Sequence, residues 1–179
     1  KAVAKIVLTV NVPESELVTH KEWCIPLEVI HNPTPKGFGA NHNTAFNRCH
    51  TNWFLVLNPD IRMTHDVVSA LLAQAKPDTG LLLPRIREPG KAQPESYRRL
   101  LTPYELWERR RAGHRPPDSP QWVAGMFMLL QSTAFRRVCG FDERFFMYCE
   151  DFDLCARLRL DGWSLHSEPS LEVLHVAQR

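Results

Sequence analysis

The stretch Trp53-Phe54-Leu55-Val56-Leu57-Asn58-Pro59-Asp60 joins an apolar run to a polar turn that ends in a carboxylate. A short continuous apolar run bounded by turn residues is typical of a strand that is buried on both faces in the middle of a sheet. In open α/β sheets, ligands bind beyond the carboxyl ends of the strands. Asn58 and Asp60 therefore occupy a place in the sequence where a ligand is expected.

Segments with strand patterns and segments with helix patterns alternate on both sides of this stretch. One predicted helix begins at a Thr64 cap, and Gly162 provides a stop for the last one. The predicted strands cover residues 5–10, 27–31, 53–57, 80–83, 123–130, 163–166 and 171–176, and the predicted helices cover 39–49, 64–74, 132–138 and 151–161. This alternation predicts an α/β fold with a mostly parallel sheet and flanking helices.

Length and composition indicate one ordinary globular domain over residues 1–179. Hydrophobic residues make up 44% of the chain and charged residues 23%, and the formal net charge is only +2. So weak a charge argues against nucleic acid as the main partner. The longest apolar runs are far shorter than the roughly 18 residues that a membrane span needs. No signal peptide opens the chain, but Lys1 is not an initiator methionine, so we expect the natural N-terminus to lie upstream.

The five cysteines, Cys24, Cys49, Cys139, Cys149 and Cys155, form no CxxC pair. Disulfide frameworks and structural zinc sites usually show tight cysteine spacing. We therefore expect reduced, mostly buried thiols and a cytoplasmic location.

Residues 85–121 differ from the rest of the chain because they are rich in Arg, Pro and Glu, as in Arg109-Arg110-Arg111 and Pro116-Pro117. We predict a variable insertion here, and two interpretations are open. One is a solvated surface segment. The other is a segment that shapes an acceptor-facing or membrane-facing surface, since it also contains a set of apolar residues: Leu100, Leu101, Tyr104, Leu106 and Trp107.

Asp60 is the first candidate for chemistry. Asn-Pro-Asp is good turn chemistry, so a purely structural turn is one interpretation. The other is a site for Mg²⁺ or Mn²⁺, which prefer oxygen ligands. A single carboxylate is too few for a complete protein site, so substrate phosphates would have to supply further ligands.

Glu150, Asp151 and Asp153 stand at the start of the last predicted helix. The helix dipole stabilises carboxylates at this end, which is one explanation for the cluster. The other explanation is that Asp151 is a general base that takes a proton from a hydroxyl group. Glu150 and Asp151 are adjacent and diverge in direction, so they cannot flank one bond as an acid and base pair.

Two further candidates lie in the last predicted strand and just before the first predicted helix. His175 is either a core residue of the last predicted strand or a second metal ligand. Residues 36–43 (KGFGANHN) place glycines before a predicted helix, where the backbone can approach an anionic ligand. Their spacing matches neither the dinucleotide-binding nor the P-loop motif.

Taken in order, these motifs resemble the family 2 inverting glycosyltransferases, and their rhamnosyltransferase-like branch in particular. The resemblance extends from residue 5 to residue 175, and residues 140–154 are its most specific part. The residues that carry it are GFGANHN (37–43), LNPD (57–60), WVAGMFML (122–129), GFDERFFMYCEDFDL (140–154) and His175.

The resemblance implies a GT-A fold, which is a Rossmann-like sheet that binds a nucleotide sugar. It implies that Asp60 binds the donor diphosphate through Mg²⁺ or Mn²⁺ and that His175 contacts the metal or the diphosphate. In the Glu150-Asp151 motif, Asp151 is the expected catalytic base. Asn11 stands where relatives commonly have an Asp-Asn pair, and we group it with the other substrate-binding positions that the resemblance implies: Asn58 near the ribose, Gly39 and Asn43 in the nucleotide pocket, and Trp122 and Gly125 beside the acceptor.

The implied function is the transfer, with inversion, of a sugar such as rhamnose from a deoxythymidine- or uridine-diphosphate donor. The implied acceptor is a hydroxyl group of a glycan or lipid-linked molecule in cell-surface polysaccharide synthesis, reached by peripheral contact with the inner face of a membrane. Relatives usually begin with a further strand and continue past His175, so we expect the natural chain to extend at both ends. Two other functions stay open: a sugar nucleotidyltransferase, and a non-catalytic module that binds nucleotides or glycans.

Overall fold

Strands and helices alternate along the chain, in agreement with the predicted α/β class. The structure is a computed structural model that describes residues 2–12, 24–90, 99, 102–108, 110 and 119–176. Its strands are β1 (Ile6–Val10), β2 (Leu27–His31), β3 (Trp53–Leu57), β4 (Ile61–Arg62), β5 (Thr79–Arg87), β6 (Phe127–Gln131) and β7 (Ser164–His175). Its helices are α1 (Phe38–Phe46), α2 (Val67–Leu72), α3 (Pro103–Glu108), α4 (Ser132–Arg137) and α5 (Glu150–Leu160). No helix in these described ranges is long and apolar enough to cross a membrane.

The central sheet contains five strands in the order β3-β6-β5-β7-β4, and β1 and β2 form a separate parallel pair. β5 and β7 also run parallel, whereas β3 with β6, β5 with β6, and β4 with β7 are antiparallel. The prediction of a mostly parallel arrangement was therefore wrong for the central sheet. The alternating pattern does not encode strand direction, because the backbone groups of a strand can be hydrogen-bonded in either arrangement.

Helices cover both faces of the sheet, so β5 and β6 are buried on both sides. Successive side chains on a strand point to opposite faces. Leu81 and Leu83 accordingly pack in one cluster with residues of α1, α4 and α5, whereas Leu82 packs in the other with Val67 and Leu71 of α2. The apolar runs of β5 and β6 therefore mark strands that are covered on both faces. The prediction of a central position was wrong for β3, which lies at the edge of the sheet and alternates between half-buried and buried residues.

Two element boundaries differ from the prediction for identifiable reasons. β5 continues past Pro84 to Arg87, although the predicted strand stops at residue 83. The pairing register with β7 shifts between Pro84 and Arg85, and a proline, which lacks an N–H group, is tolerated at such an irregularity. Helix α2 is capped by Asp66 instead of Thr64, because the Asp66 side chain accepts a 2.9 Å hydrogen bond from the Ser69 N–H group.

The two ends of β6 and β7 also differ from the predicted bounds. The strand predicted over 123–130 begins only at Phe127. Residues 123–126 are irregular, and the backbone of Gly125 and Met126 makes hydrogen bonds to Asp151 and Asn58 instead of to a neighbouring strand. The strands predicted over 163–166 and 171–176 are both parts of β7.

Part of the predicted insertion 85–121 belongs to regular structure. Residues 85–87 end β5, and α3 presents Tyr104 and Trp107 with 64% and 50% of their surfaces exposed. Their ring centroids are 6.1 Å apart. The other residues named for this segment lie outside the described residues: Leu100, Leu101, Arg109, Arg111, Pro116 and Pro117. The side chain of Leu106 is not described either.

The five cysteines are reduced thiols, as expected, but most of them are not buried. Cys155 is buried and Cys49 is half-buried, whereas Cys24, Cys139 and Cys149 are exposed. The expectation of mostly buried thiols was therefore wrong. Cys139 and Cys149 lie in irregular segments between helices, with φ angles of 60° and 71°, where the backbone turns at the surface.

Candidate active site

Asp60 is held next to His175 by the pairing of β4 with β7. A turn follows β3 and is closed by a 3.2 Å hydrogen bond from the Ile61 N–H group to the Asn58 carbonyl. Ile61 is then paired with His175, and the Val176 N–H group donates to the Asp60 carbonyl at 3.0 Å. These backbone contacts leave Oδ2 of Asp60 3.1 Å from Nε2 of His175. Two predicted site residues that are distant in sequence therefore meet here.

Glu88 lies on the other side of the His175 imidazole. β7 runs between β4 and β5, and Arg87, the last residue of β5, pairs with Leu174. The next residue, Glu88, places its Oε1 3.6 Å from Nδ1 of His175. The side chains of Asp60, Glu88 and His175 are 25%, 17% and 13% exposed. Sequence reasoning did not identify Glu88, because residue 88 fell within the predicted insertion.

Asp60 and His175 fit a two-ligand site for a divalent cation. Neighbouring ligands of an octahedral ion, each about 2.1 Å from it, lie about 3 Å apart, and the two side chains are already 3.1 Å apart. Oδ1 of Asp60 is buried and has no hydrogen-bond partner. Among the described residues, no group of three or more His, Cys, Asp or Glu could hold a metal by itself. Donor phosphates would therefore have to complete the coordination.

Asp151 is fixed by two backbone donors at the start of α5. Its Oδ1 accepts a 2.7 Å hydrogen bond from the Phe152 N–H group, and its Oδ2 accepts a 3.0 Å bond from the Gly125 N–H group. A Cβ atom on residue 125 would lie 2.9 Å from Cζ of Phe38, so only glycine fits at this position without displacing that ring. The two donors hold the carboxylate in one orientation.

The segment before β6 connects the two carboxylates. The Asn58 N–H group donates to the Met126 carbonyl at 3.0 Å, and the preceding residue, Gly125, donates to Asp151. The turn that carries Asp60 and the helix start that carries Asp151 are therefore anchored on consecutive residues. These contacts connect five predicted site residues in the region that follows β3: Asn58, Asp60, Gly125, Asp151 and His175.

Glu150 is buried beside Asp151. It exposes only 6% of its surface, and its Oε2 has no hydrogen-bond partner. Burial raises the pKa of the Glu150 carboxyl, and the charge of Asp151 raises this pKa further. The two adjacent carboxyls therefore have different environments.

The backbone before α5 is left-handed at two residues that are not glycine. Tyr148 and Cys149 both have φ of 71°. Residues in this region are strained, and such strain often occurs at functional sites. Next to this bend lies an apolar tip (residues 146–148), in which Phe146, Met147 and Tyr148 are 60%, 58% and 78% exposed.

Gly39 and Asn43 of α1 contact the turn at residues 140–143. A Cβ atom on Gly39 would lie 2.7 Å from Cβ of Phe141. Nδ2 of Asn43 donates to the Phe141 carbonyl at 2.8 Å and to Oε1 of Glu143 at 3.0 Å, and Oδ1 accepts from the Phe141 N–H group at 2.9 Å. Both residues therefore hold a turn that leads towards Asp151, and their contact with a nucleotide stays a prediction.

Asn11 belongs to a cluster of amide side chains at the ends of β1 and β2. Its Nδ2 donates to the Lys36 carbonyl at 3.1 Å, and its Oδ1 accepts from the Lys36 N–H group at 2.8 Å. Nδ2 of Asn32, which is buried, donates to Oδ1 of Asn11 at 2.9 Å and to Oδ1 of Asn41 at 2.7 Å. The cluster fixes the loop before α1, and the contact of Asn11 with substrate stays a prediction. Sequence reasoning did not identify Asn32, although it directly follows a predicted strand, and it included Asn41 in the candidate segment 36–43 without giving it a role of its own.

Trp122 is buried and supports the start of α5. Its Nε1 donates to the Arg99 carbonyl at 2.8 Å, and its ring packs edge-on against Phe152 with centroids 6.0 Å apart. A role of Trp122 beside the acceptor stays a prediction.

An open cavity of about 380 Å³ lies away from these residues. It is lined by Ser119, Pro120, Arg159, Gly162, Trp163, Ser164 and Leu165. Ser164 begins β7, whereas His175 ends it, so the cavity and Asp60 lie at opposite ends of that strand. We do not assign the cavity to the candidate site.

Structures of known proteins share this fold. GalNAc-T7 with UDP, GalNAc and Mn²⁺ matches with a TM-score of 0.73 over 98% of this chain and 38% of that one, at 18% identity. The mannosyltransferase PcManGT from Pyrobaculum calidifontis, in complex with GDP-Man and Mn²⁺, matches with a TM-score of 0.59 over 87% of this chain and 41% of that one, at 15% identity. S. aureus TarS 1-349 in complex with UDP-GlcNAc matches with a TM-score of 0.62 over 87% of this chain and 43% of that one, at 13% identity. The predicted GT-A fold is confirmed.

Sequence comparison gives the family. The chain is 37% identical over 145 residues to the N-acetylglucosaminyl-diphospho-decaprenol L-rhamnosyltransferase of Mycobacterium tuberculosis, which covers 69% of this chain and 47% of that protein. It is 33% identical over 161 residues to rhamnosyltransferase WbbL of Escherichia coli, which covers 79% of this chain and 61% of that protein. The chain thus spans about half the length of the first relative. The pattern described as Glycosyl transferase family 2 matches residues 15–138, and the chain therefore belongs to that family, as its resemblance to the rhamnosyltransferase-like branch predicted.

Proposed function

We propose that the chain is the catalytic domain of an inverting glycosyltransferase that acts in cell-surface polysaccharide synthesis. It would move a sugar from a nucleoside-diphosphate donor to a hydroxyl group of a glycan or lipid-linked acceptor. Family membership supports the reaction class, and the names of the two relatives support rhamnose as the sugar. The observation that carries the proposal is the anchoring of the Asp60 turn and the Asp151 side chain on consecutive residues, 126 and 125.

Asp151 is the proposed general base. As the acceptor oxygen forms its bond to the anomeric carbon, the bond from that carbon to the diphosphate oxygen breaks, and the acceptor proton passes to the Asp151 carboxylate. Attack from the face opposite the leaving group inverts the anomeric configuration. The N–H groups of Gly125 and Phe152 hold the carboxylate in place for this transfer.

Asp60 and His175 are the proposed ligands for Mg²⁺ or Mn²⁺. When bound, such an ion neutralises the charge that develops on the departing diphosphate. The presence of Mn²⁺ with the nucleotide in GalNAc-T7 and with GDP-Man in the mannosyltransferase supports a divalent cation here. The same structures and the TarS complex with UDP-GlcNAc support a nucleotide-sugar donor, for which uridine or deoxythymidine diphosphate is our proposal.

The acceptor is proposed to approach over the apolar tip at residues 146–148. Only Cys149 separates these exposed side chains from Glu150 and Asp151 in the chain, and an apolar surface of this kind suits the lipid portion of a lipid-linked acceptor. This arrangement would place the protein at the cytoplasmic face of a membrane, in peripheral contact with it.

The reaction class can be tested with the full-length protein, a panel of nucleotide sugars and mass detection of the products. Release of a nucleoside diphosphate together with a new glycoside supports the proposal. Formation of pyrophosphate would indicate a sugar nucleotidyltransferase. Absence of turnover with every donor, in the presence of Mn²⁺ and a glycan acceptor, would indicate a binding module and would contradict the proposal.

A further inference from the structure

We infer that Glu88 is a positioning residue that orients His175 for the cation proposed at Asp60. The inference rests on the proposed function, because it concerns the ion that Asp60 and His175 would hold. The two ring nitrogens of His175 face different carboxylates. Nε2 lies 3.1 Å from Asp60, and Nδ1 lies 3.6 Å from Glu88. Glu88 therefore acts on the nitrogen that the cation would not use.

A histidine that binds a metal almost always donates its other ring N–H group to a carboxylate, a carbonyl or water, which fixes the tautomer and the orientation of the ring. Nδ1 of His175 is buried and has no hydrogen-bond partner. The ring is 13% exposed, so water has little access to it. Oε1 of Glu88 is the acidic oxygen on that side, and its separation of 3.6 Å from Nδ1 is only slightly longer than a hydrogen bond.

The sheet itself fixes the position of Glu88 relative to His175. β5 and β7 are parallel neighbours, and their pairing reaches Arg87 with Leu174. Glu88 and His175 are the next residues on the two strands, so they lie side by side. Asp60 reaches the same imidazole from β4, on the opposite side of β7. The three residues thus lie at the ends of three adjacent strands: Asp60 directly before β4, Glu88 directly after β5, and His175 as the last residue of β7.

Binding of Mn²⁺ to the full-length protein, measured by electron paramagnetic resonance with uridine diphosphate as the probe, tests the inference. We expect Glu88→Ala to weaken Mn²⁺ binding about 10- to 100-fold. Glu88→Gln should retain most of the affinity, because its side-chain carbonyl can still accept a hydrogen bond from Nδ1. An affinity unchanged in Glu88→Ala would overturn the inference.

Glu172→Ala is the matched control. It removes the same charge from the neighbouring strand, but Glu172 pairs with Arg87 in a surface ion pair of 3.1 Å and does not contact His175. We expect Mn²⁺ affinity to be unchanged in this variant. A loss equal to that of Glu88→Ala would mean that Glu88 acts only through its charge.

A His175→Ala background separates positioning from direct binding. Glu88→Ala should have no further effect on Mn²⁺ affinity when His175 is absent, and a persistent effect would overturn the inference. Without any metal, the imidazole ¹⁵N resonances of His175 provide a second readout. We expect Glu88→Ala to move the Nδ1 resonance, and an unmoved resonance would refute the contact. If the wild-type protein binds no Mn²⁺, the metal part of the proposed function fails, while the resonances still decide the role of Glu88.

Discussion

Asp151 and Glu150 are adjacent acids with different surroundings. Asp151 accepts hydrogen bonds from the Gly125 and Phe152 N–H groups, whereas Oε2 of Glu150 has no partner and the side chain is buried. A carboxylate that must accept a proton needs a fixed orientation and access for the acceptor. These requirements favour Asp151 as the base and give Glu150 a different role.

Replacing Asp151 by asparagine should reduce turnover about 10²- to 10⁴-fold, because the variant has no carboxylate to take the acceptor proton. Donor binding should change little, since Asp60 and His175 are untouched. Steady-state rates and calorimetric titration with nucleotide measure the two effects. Asp66→Asn is a suitable control, because asparagine can also cap α2. Equal losses of turnover and donor affinity in Asp151→Asn would contradict the assignment.

Replacing Glu150 by glutamine should stabilise the protein at neutral pH. Burial raises the pKa of Glu150 in the folded chain above its usual value of 4.5, so the folded state binds more protons than the unfolded state just above that pH. The stability contributed by this group is therefore present below pH 4.5 and is lost as pH rises through the raised pKa.

The difference in unfolding free energy between Glu150→Gln and wild type should grow as pH rises from about 4 and then level off. Urea denaturation over a pH series measures this difference. A difference that does not depend on pH would show that ionisation of Glu150 does not destabilise the folded protein, and it would contradict the prediction.

At the residue level, the sequence allowed prediction of those site residues that follow strand ends or stand in a specific motif. Asp60, Asp151 and His175 were predicted in this way. The structure brings Asp60 and His175 into contact, and the catalytic and metal-binding roles of all three stay predictions. Glu88 could not be found, because its position beside His175 depends on the pairing of β5 with β7. The same reason applies to the contact of Asn41 with Asn32, which lies at the end of another strand.

At the level of elements, α1 fixes the turn that precedes α5, the helix that carries the proposed base, Asp151. Asn43 makes three hydrogen bonds to Phe141 and Glu143. We expect Asn43→Ala to lower the free energy of unfolding by about 1–3 kcal/mol, because the Phe141 backbone groups lose their partner. It should also lower turnover, since the turn leads to α5. Chemical denaturation and rate measurements test both effects.

Asn47→Ala is the matched control for Asn43→Ala. Asn47 caps the other end of α1 and is exposed, so its replacement should change stability by no more than about 0.5 kcal/mol. If the two variants lost the same stability, Asn43 would have no special role in holding the turn.

The boundaries of elements were harder to predict than their existence. The apolar run at residues 53–57 matched the bounds of β3, but its predicted place in the middle of the sheet was wrong, because β3 lies at the edge and only Phe54 and Val56 are buried. β5 was predicted too short, because its continuation past Pro84 depends on a register shift in the pairing with β7. β4 has two residues, too few for any sequence pattern, yet it brings Asp60 to His175.

At the level of the whole molecule, stability should fall in mild acid. His42 packs between the rings of Phe38 and Phe141, with centroids 4.4 Å and 6.0 Å away. Burial lowers the pKa of His42 from 6.5 to about 4. Between these values the unfolded chain binds a proton that the folded chain does not, so stability decreases as pH falls from about 6.5 to about 4. The total loss from this group is on the order of 3 kcal/mol.

Urea denaturation of wild type and His42→Gln across this pH range measures the effect. The variant should show a smaller loss of stability in acid, and His50→Gln, at an exposed position, should behave like wild type. Identical pH profiles for wild type and His42→Gln would refute the prediction.

The fold class followed from the alternation of strands and helices, whereas the directions of the strands did not. β6 lies antiparallel to both β3 and β5, and no local pattern in residues 127–131 distinguishes this arrangement from a parallel one. The direction of each strand depends on the strands with which it pairs in the complete sheet. These pairings join residues that are distant in sequence.

The attachment of Asn58 and Asp151 to residues 126 and 125 has a consequence for engineering. Within the described residues, the connection from β5 to β6 reaches Asn58 and Asp151 through the backbone of this dipeptide. Chimeras that exchange residues 91–121 among family members and keep residues 122–126 would retain these two anchors, and they would show whether the exchanged segment contributes to recognition of the incoming alcohol. Selectivity for that alcohol could then be redesigned separately from the chemistry of transfer.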